Sequence, residues 1–172
     1  MPAPSRDATI TCMNDTTDTT DTTIAAAVIC RAADQPQAGG VRFGLTSELT
    51  GGPLDVGSET VDRGAGPPLH VHHRQGEYVV VLSGSLRCRV GDLDVDLAAG
   101  DAAFMPRGLE HTFTNVLEQP CDIIWVFQPG GFHPFLAAVD EAGTFDPAVL
   151  GPIAEQYGTE LTGPPLAALL GL

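Results

Sequence analysis

From residue 24 to residue 128 the chain is a succession of short apolar or alternating runs broken by Gly, Pro and Asp. The runs fall at 24–31, 41–46, 54–61, 69–73, 78–82, 86–90, 93–97, 102–105, 111–116 and 123–127. Valine is abundant, and turn residues recur about every eight to twelve positions, which is the spacing of an all-β sandwich or barrel. The run 86–90 alternates cleanly, with Leu86, Cys88 and Val90 on one face and Arg87 and Arg89 on the other. Gly91-Asp92 then leads into a second alternating run, 93–97, so the pair is predicted to be a hairpin. After Gln128-Pro129-Gly130-Gly131 the period changes: Phe132, Phe135, Leu136 and Val139 have helical spacing. Asp146-Pro147 reads as an N-cap followed by Pro at the first helical position, with Gly158 as the stop. The expected organisation is a polar tail over 1–23, a β domain over 24–130 and a helical extension over 131–172 with two short helices.

The tail carries the repeat NDTTDTTDTT at 14–23, which has no apolar residue and is expected to be disordered. Eight basic against 22 acidic side chains give a net charge of −14, which argues against nucleic acid and against an anionic membrane as partner. No apolar run has the length of a bilayer span. The short run 24–30 follows an acidic stretch and lacks the basic flank of a secretory signal, so a cytoplasmic location is expected. The cysteines Cys12, Cys30, Cys88 and Cys121 form no CxxC pair and are expected to be reduced and mostly buried.

The chemistry concentrates in two blocks. In the first, His70 and His72 are two apart, so a strand puts both imidazoles on one face, while His73 points the other way. Glu77 opens the next run, and a returning strand brings it beside them. Imidazole and carboxylate donors suit divalent Fe, Mn, Co, Ni, Cu or Zn. Taken alone, an HxH pair is equally a surface strand. The second block supplies His111 behind its own punctuation, Gly100, Pro106 and Gly108, with Asn115 four positions on.

These blocks resemble the two motifs of the cupin superfamily, G-x5-H-x-H-x(3,4)-E-x6-G and G-x5-P-x-G-x2-H-x3-N. The first is filled by Gly64, His70, His72, Glu77 and Gly84, and the second by Gly100, Pro106, Gly108, His111 and Asn115, with 15 residues between the blocks. The resemblance implies a single jelly-roll β-barrel with one metal ion held inside it by His70, His72, Glu77 and His111. More weakly, the segment from Pro129 to Gly158 is similar to the tail of single-domain cupins resembling quercetin 2,3-dioxygenases. Related cupins are often homodimers, so a homodimer is expected, with 24–31 as a candidate exchanged strand.

Phe104, Phe113, Trp125 and Phe127 are candidates either to line a cavity or to fill the barrel core. Val79 shares the face of Glu77 and is expected in the pocket wall, with Tyr78 outside. Arg74, Arg87, Arg89 and Arg107 fall in loops or on outward faces, which leaves the cavity apolar apart from its metal pole. Such a cavity suits an aromatic, flavonol-like or polyketide-like molecule that chelates through adjacent oxygens. The expected activity is that of a metal-dependent dioxygenase, with O2 as co-substrate and Glu77 as general base. The alternatives are a non-redox cyclase or isomerase that uses the ion as a Lewis acid, and a small-molecule-binding cupin without catalysis.

Overall fold

Strand alternation sorts the side chains to two faces, and two antiparallel sheets turn one face each towards a shared interior. The computed structural model describes residues 28–144 and 146–172. One sheet has the order β1 (Gln37–Ala38), β2 (Val41–Leu45), β3 (Asp55–Val61), β10 (Cys121–Gln128), β5 (Gly76–Ser83), β8 (Ala102–Met105). The other has the order β11 (Thr159–Pro165), β4 (Pro68–His72), β9 (His111–Thr114), β6 (Ser85–Val90), β7 (Leu93–Ala98). Four short helices join them: α1 (Ser47–Thr50), α2 (His133–Ala142), α3 (Pro147–Gln156) and α4 (Leu166–Leu170). The sheets face one another as in a jelly roll and do not close edge to edge.

The inner face follows the sequence pattern. On β10, Cys121, Ile123, Trp125 and Phe127 are buried, whereas Asp122 and Gln128 are exposed. On β5, Glu77, Val79 and Val81 point inward and Tyr78 and Leu82 outward. The predicted hairpin is β6–β7, where Arg87 lies opposite Asp96 and Arg89 opposite Asp94; both pairs form ion pairs on the outer face. Gly84 joins β5 to β6 at φ +78°, and a Cβ there would stand 2.8 Å from the Pro120 carbonyl oxygen, so only glycine fits this turn. Cys88 and Cys121 are buried in the core.

Two helices cover one end of the interior. Asp146 caps α3, its carboxylate accepting from the Ala148 N–H at 2.9 Å, with Pro147 in the first turn. The α2 helix lacks a cap of its own and borrows one from β3. Asp55, fully buried, accepts from the N–H groups of Gly131 (2.9 Å), Phe132 (2.6 Å) and His133 (3.1 Å), and its other oxygen accepts from the Ser47 N–H. A carboxylate at a helix N-terminus also meets the positive end of the helix dipole.

Two expectations need correction. The segment 131–172 is not helical throughout: after α3 it returns to the second sheet as β11 and pairs with β4. Its prolines hid the strand, yet β11 is an edge strand, where a missing N–H costs little. Residues 28–31 are not a strand; they precede a 3-10 turn at Ala32–Asp34. The first part of that predicted strand, 24–27, and the tail over 1–23 lie outside the described residues. Among the described residues, no helix is long and apolar enough to cross a membrane.

Candidate metal centre

Three histidines reach the site from one sheet and a glutamate from the other. His70 on β4 lies directly across from His111 on β9, and His72, two residues on, shares the inward face. Glu77 comes from the start of β5, in register with Phe127 and Met105. All four side chains are buried, and one ligand atom from each lies within 4.8 Å of the others. The His70 and His72 Nε2 atoms are 3.1 Å apart. Glu77 Oε2 stands 3.2 Å from His72 Nε2 and 3.1 Å from His111 Nε2.

The far nitrogens decide what the near ones offer. His70 Nδ1 is 2.8 Å from the Pro68 carbonyl oxygen, and His111 Nδ1 is 2.8 Å from the Leu109 carbonyl oxygen. A carbonyl only accepts, so both Nδ1 atoms carry the proton, and the neutral rings present Nε2 lone pairs inward. In His111 the Nε2 lies 3.1 Å from the Glu77 carboxylate, so either a second proton or a metal ion must stand between these two acceptors. Three imidazoles with one carboxylate are the donors a divalent transition ion takes. The residues therefore fit a metal ion, which the cluster can hold. Without one, the charges shift each other. Burial, with His72 and His111 beside it, pushes the His70 pKa down to about 3. Burial alone would raise the Glu77 carboxyl, but hydrogen bonds from His111 and His72 outweigh it and hold the pKa well below the usual carboxylate range. For His111, burial is outweighed by Glu77 and the Leu109 carbonyl, and the net shift is upward.

The cluster is one pole of a cavity of about 410 Å³ whose other walls are mostly apolar. Phe113, Trp125 and Phe127 line it. Phe132 stacks on Phe127 at 3.8 Å between ring centroids, and both rings meet His72 edge-on, at 5.2 and 5.1 Å. Phe135, Val139 and Leu150 close the cavity from α2 and α3.

Two of the expected pocket residues lie elsewhere. Phe104 is 48% exposed and stacks on Tyr78 outside the sheet. Met105 takes the inward position instead, because β8 pairs regularly with Glu77 opposite Met105. Val79 shares the inward face with Glu77 but is fully buried in the core; it lies opposite Trp125, whose larger ring takes the cavity surface. His73 is exposed and pairs with Glu160 at 2.9 Å. His133 is half-buried with its ring edge-on to Phe43 at 4.7 Å. Asn115 is fully buried; it donates to the Val61 and Gln119 carbonyls and accepts from the Leu117 N–H, which pins the turn after β9.

Two residues of the cavity escaped the sequence. Thr159 on β11 lies opposite His72, with its hydroxyl 3.0 Å from His72 Nδ1. It is 87 positions away in a segment that reads as irregular, so no local signal marks it. Glu59 on β3 also lines the cavity. Its signal was parity: it shares a face with the buried Asp55, Gly57 and Val61, yet polar residues on both faces of that run obscured which face was inner.

Residues 57–127 match the cupin domain family. The chain is 29% identical over 135 residues to the tetracenomycin polyketide synthase protein TcmJ of Streptomyces glaucescens, covering 76% of this chain and 91% of the relative. It resembles a mutant of Bacillus subtilis oxalate decarboxylase OxdC, with a TM-score of 0.53 and 23% identity over 63% of this chain but only 31% of that one. It also resembles a double-stranded β-helix protein of Klebsiella pneumoniae, with a TM-score of 0.49 and 22% identity over 62% of this chain and 93% of that one. The double motif and the facing sheets agree with the matched domain: residues 57–127 form a cupin domain.

Proposed function

We propose that the protein is a metal-dependent enzyme acting on a polyphenolic or polyketide-type small molecule, by a non-redox reaction that starts with removal of a proton next to a carbonyl or from a phenol. The observation that carries this reading is the His70, His72, Glu77 and His111 cluster set at one pole of a mostly apolar, aromatic-walled cavity of about 410 Å³, a size suited to a ligand of a few fused rings. The likeness to a polyketide synthase protein over three-quarters of the chain supports it. His70, His72, Glu77 and His111 would hold a divalent ion, which when bound supplies a Lewis acid that lowers the pKa of a ligand hydroxyl.

The chain's own groups do the rest. The Pro68 and Leu109 carbonyls and the Thr159 hydroxyl fix the imidazole orientations from behind. Glu77 is the base nearest the reacting oxygens and accepts the proton at a carboxylate oxygen. Phe127 and Phe132 pack against the rings of the ligand. Phe135, Val139 and Leu150 cover the cavity and keep water from the deprotonated ligand.

The second reading is the dioxygenase. The donor set favours it, since three imidazoles and a carboxylate also suit redox-active Fe, Mn, Co, Ni or Cu. Product analysis with each metal, under air and under nitrogen, separates the two. We expect turnover of a polyketide or flavonol panel that is unchanged without oxygen. Oxygen uptake in step with product replaces this reading with the dioxygenase, and no binding or turnover with any metal overturns both.

A further inference from the structure

One acidic group in the cavity has no part in the cluster. Among the described residues that line the cavity, Glu59 and Glu77 are the only carboxylic acids. They sit on β3 and β5, on either side of β10. Phe127 pairs with Asp55 on one side and Glu77 on the other, whereas Glu59 pairs with Ile123. Glu59 is thus displaced four residues along the sheet from the register of Glu77, about 13 Å at the usual strand rise. Trp125 lies between these positions on β10, opposite Gly57.

Gly57 is the reason the indole fits there. A Cβ at 57 would come within 2.7 Å of the indole and 2.7 Å of Val41 Cγ1, so any larger residue would push the ring out of the wall beside Glu59. Apart from the two glutamates, the histidines and Thr159, the cavity lining is apolar or glycine, with Val41, Ala65, Leu136 and Val139 among it. A half-buried acid in such surroundings stays neutral unless it has a donor or a cation.

We propose that Glu59, with the indole N–H of Trp125, forms a second polar pole that holds an oxygen at the far end of a ligand whose near end lies at His70, His72, Glu77 and His111. The Glu59 carboxyl donates its O–H to that oxygen, so the contact needs no oxidant or co-reactant. This rests on the reading of the cavity as a polyphenol or polyketide site, and it narrows the ligand class to extended molecules with oxygen functions at both ends. The titration of the group agrees with the geometry. Burial raises its pKa and the Glu77 charge adds to this; hydrogen bonding from Trp125 opposes them, and the net value is about 7.

The test uses the single tryptophan of the chain as reporter. Zn-loaded wild-type protein, Glu59→Leu and Glu59→Gln are titrated with quercetin, which has hydroxyls at both ends, and with 3-hydroxyflavone, which keeps only the chelating end. The wild type should bind quercetin about tenfold more tightly than 3-hydroxyflavone. Glu59→Leu should lose that preference while still binding 3-hydroxyflavone, and Glu59→Gln, a permanent neutral donor, should keep part of it. Without ligand, wild-type Trp125 emission should show an inflection near neutral pH that Glu59→Gln lacks. Unchanged preference in Glu59→Leu, or no such inflection in the wild type, overturns the role of Glu59 and leaves the metal pole standing. Failure of both probes to bind the wild type overturns the polyphenol reading and this inference with it.

Discussion

His72 is held from both sides, by the cluster at Nε2 and by the Thr159 hydroxyl at Nδ1. Because a second partner fixes ring angle and tautomer, Thr159→Val is expected to weaken metal affinity about 10- to 100-fold with the fold intact. Competition with a chromogenic chelator reads this directly, and an unchanged affinity would make Thr159 a packing residue only. Asp55 gathers four backbone N–H groups, so Asp55→Ala strands them together. The expected loss is roughly 2–4 kcal/mol, seen as a melting temperature about 5–10 °C lower. Asp55→Asn keeps one accepting oxygen and should fall between. Glu59 gives a pH prediction whose sign follows from its raised pKa, from 4.5 to about 7. Between those values the folded metal-free protein binds more protons than the unfolded chain, so stability falls as pH rises through this window. For a half-buried group the loss is on the order of 2 kcal/mol. Urea titrations from pH 4.5 to 8 should show this slope in the wild type and a smaller one in Glu59→Gln.

Strand order explains which elements were legible. The β6–β7 hairpin was readable because Leu86, Cys88 and Val90 alternate with Arg87 and Arg89 without interruption. Phe113, Trp125 and Phe127 were candidates for cavity or core, and the structure puts all three on the inner face along the cavity. The ligand set was legible from the spacing of two motifs, whose resemblance to the cupin pattern joined Glu77 to the three histidines. Phe104 was misplaced because Phe104 and Met105 are both apolar, and a four-residue strand gives alternation too few turns to choose between them. Hardest of all was β11: Pro164 and Pro165 look like a break in a strand, and only the sheet edge makes them acceptable. That element carries Thr159 and also packs against α3. Helices α2 and α3 were visible from their period and the Asp146-Pro147 cap, but what they cover was not, since a cap on α2 from Asp55 spans 77 residues.

As a whole, the molecule is an acidic chain with a cupin domain, whose mostly apolar described interior holds His70, His72, Glu77 and His111 as one buried cluster. Three imidazoles and a carboxylate converge in that cluster, a donor set that the unfolded chain does not assemble, so a metal ion binds the folded state in preference. Metal binding should therefore stabilise the fold, by about 2.7 kcal/mol at a free-ion concentration 100 times the Kd. Stripping the ion with EDTA should lower the melting temperature by about 5–10 °C, reversibly on reloading. The most direct test of the central claim is the metal content of tag-free protein, dialysed after exposure to Mn, Fe, Co, Ni, Cu and Zn in turn. The arrangement of His70, His72, Glu77 and His111 predicts one ion per chain for at least one of these metals and a background level in His72→Ala. Background levels in the wild type for all six, or undiminished content in His72→Ala, would contradict it.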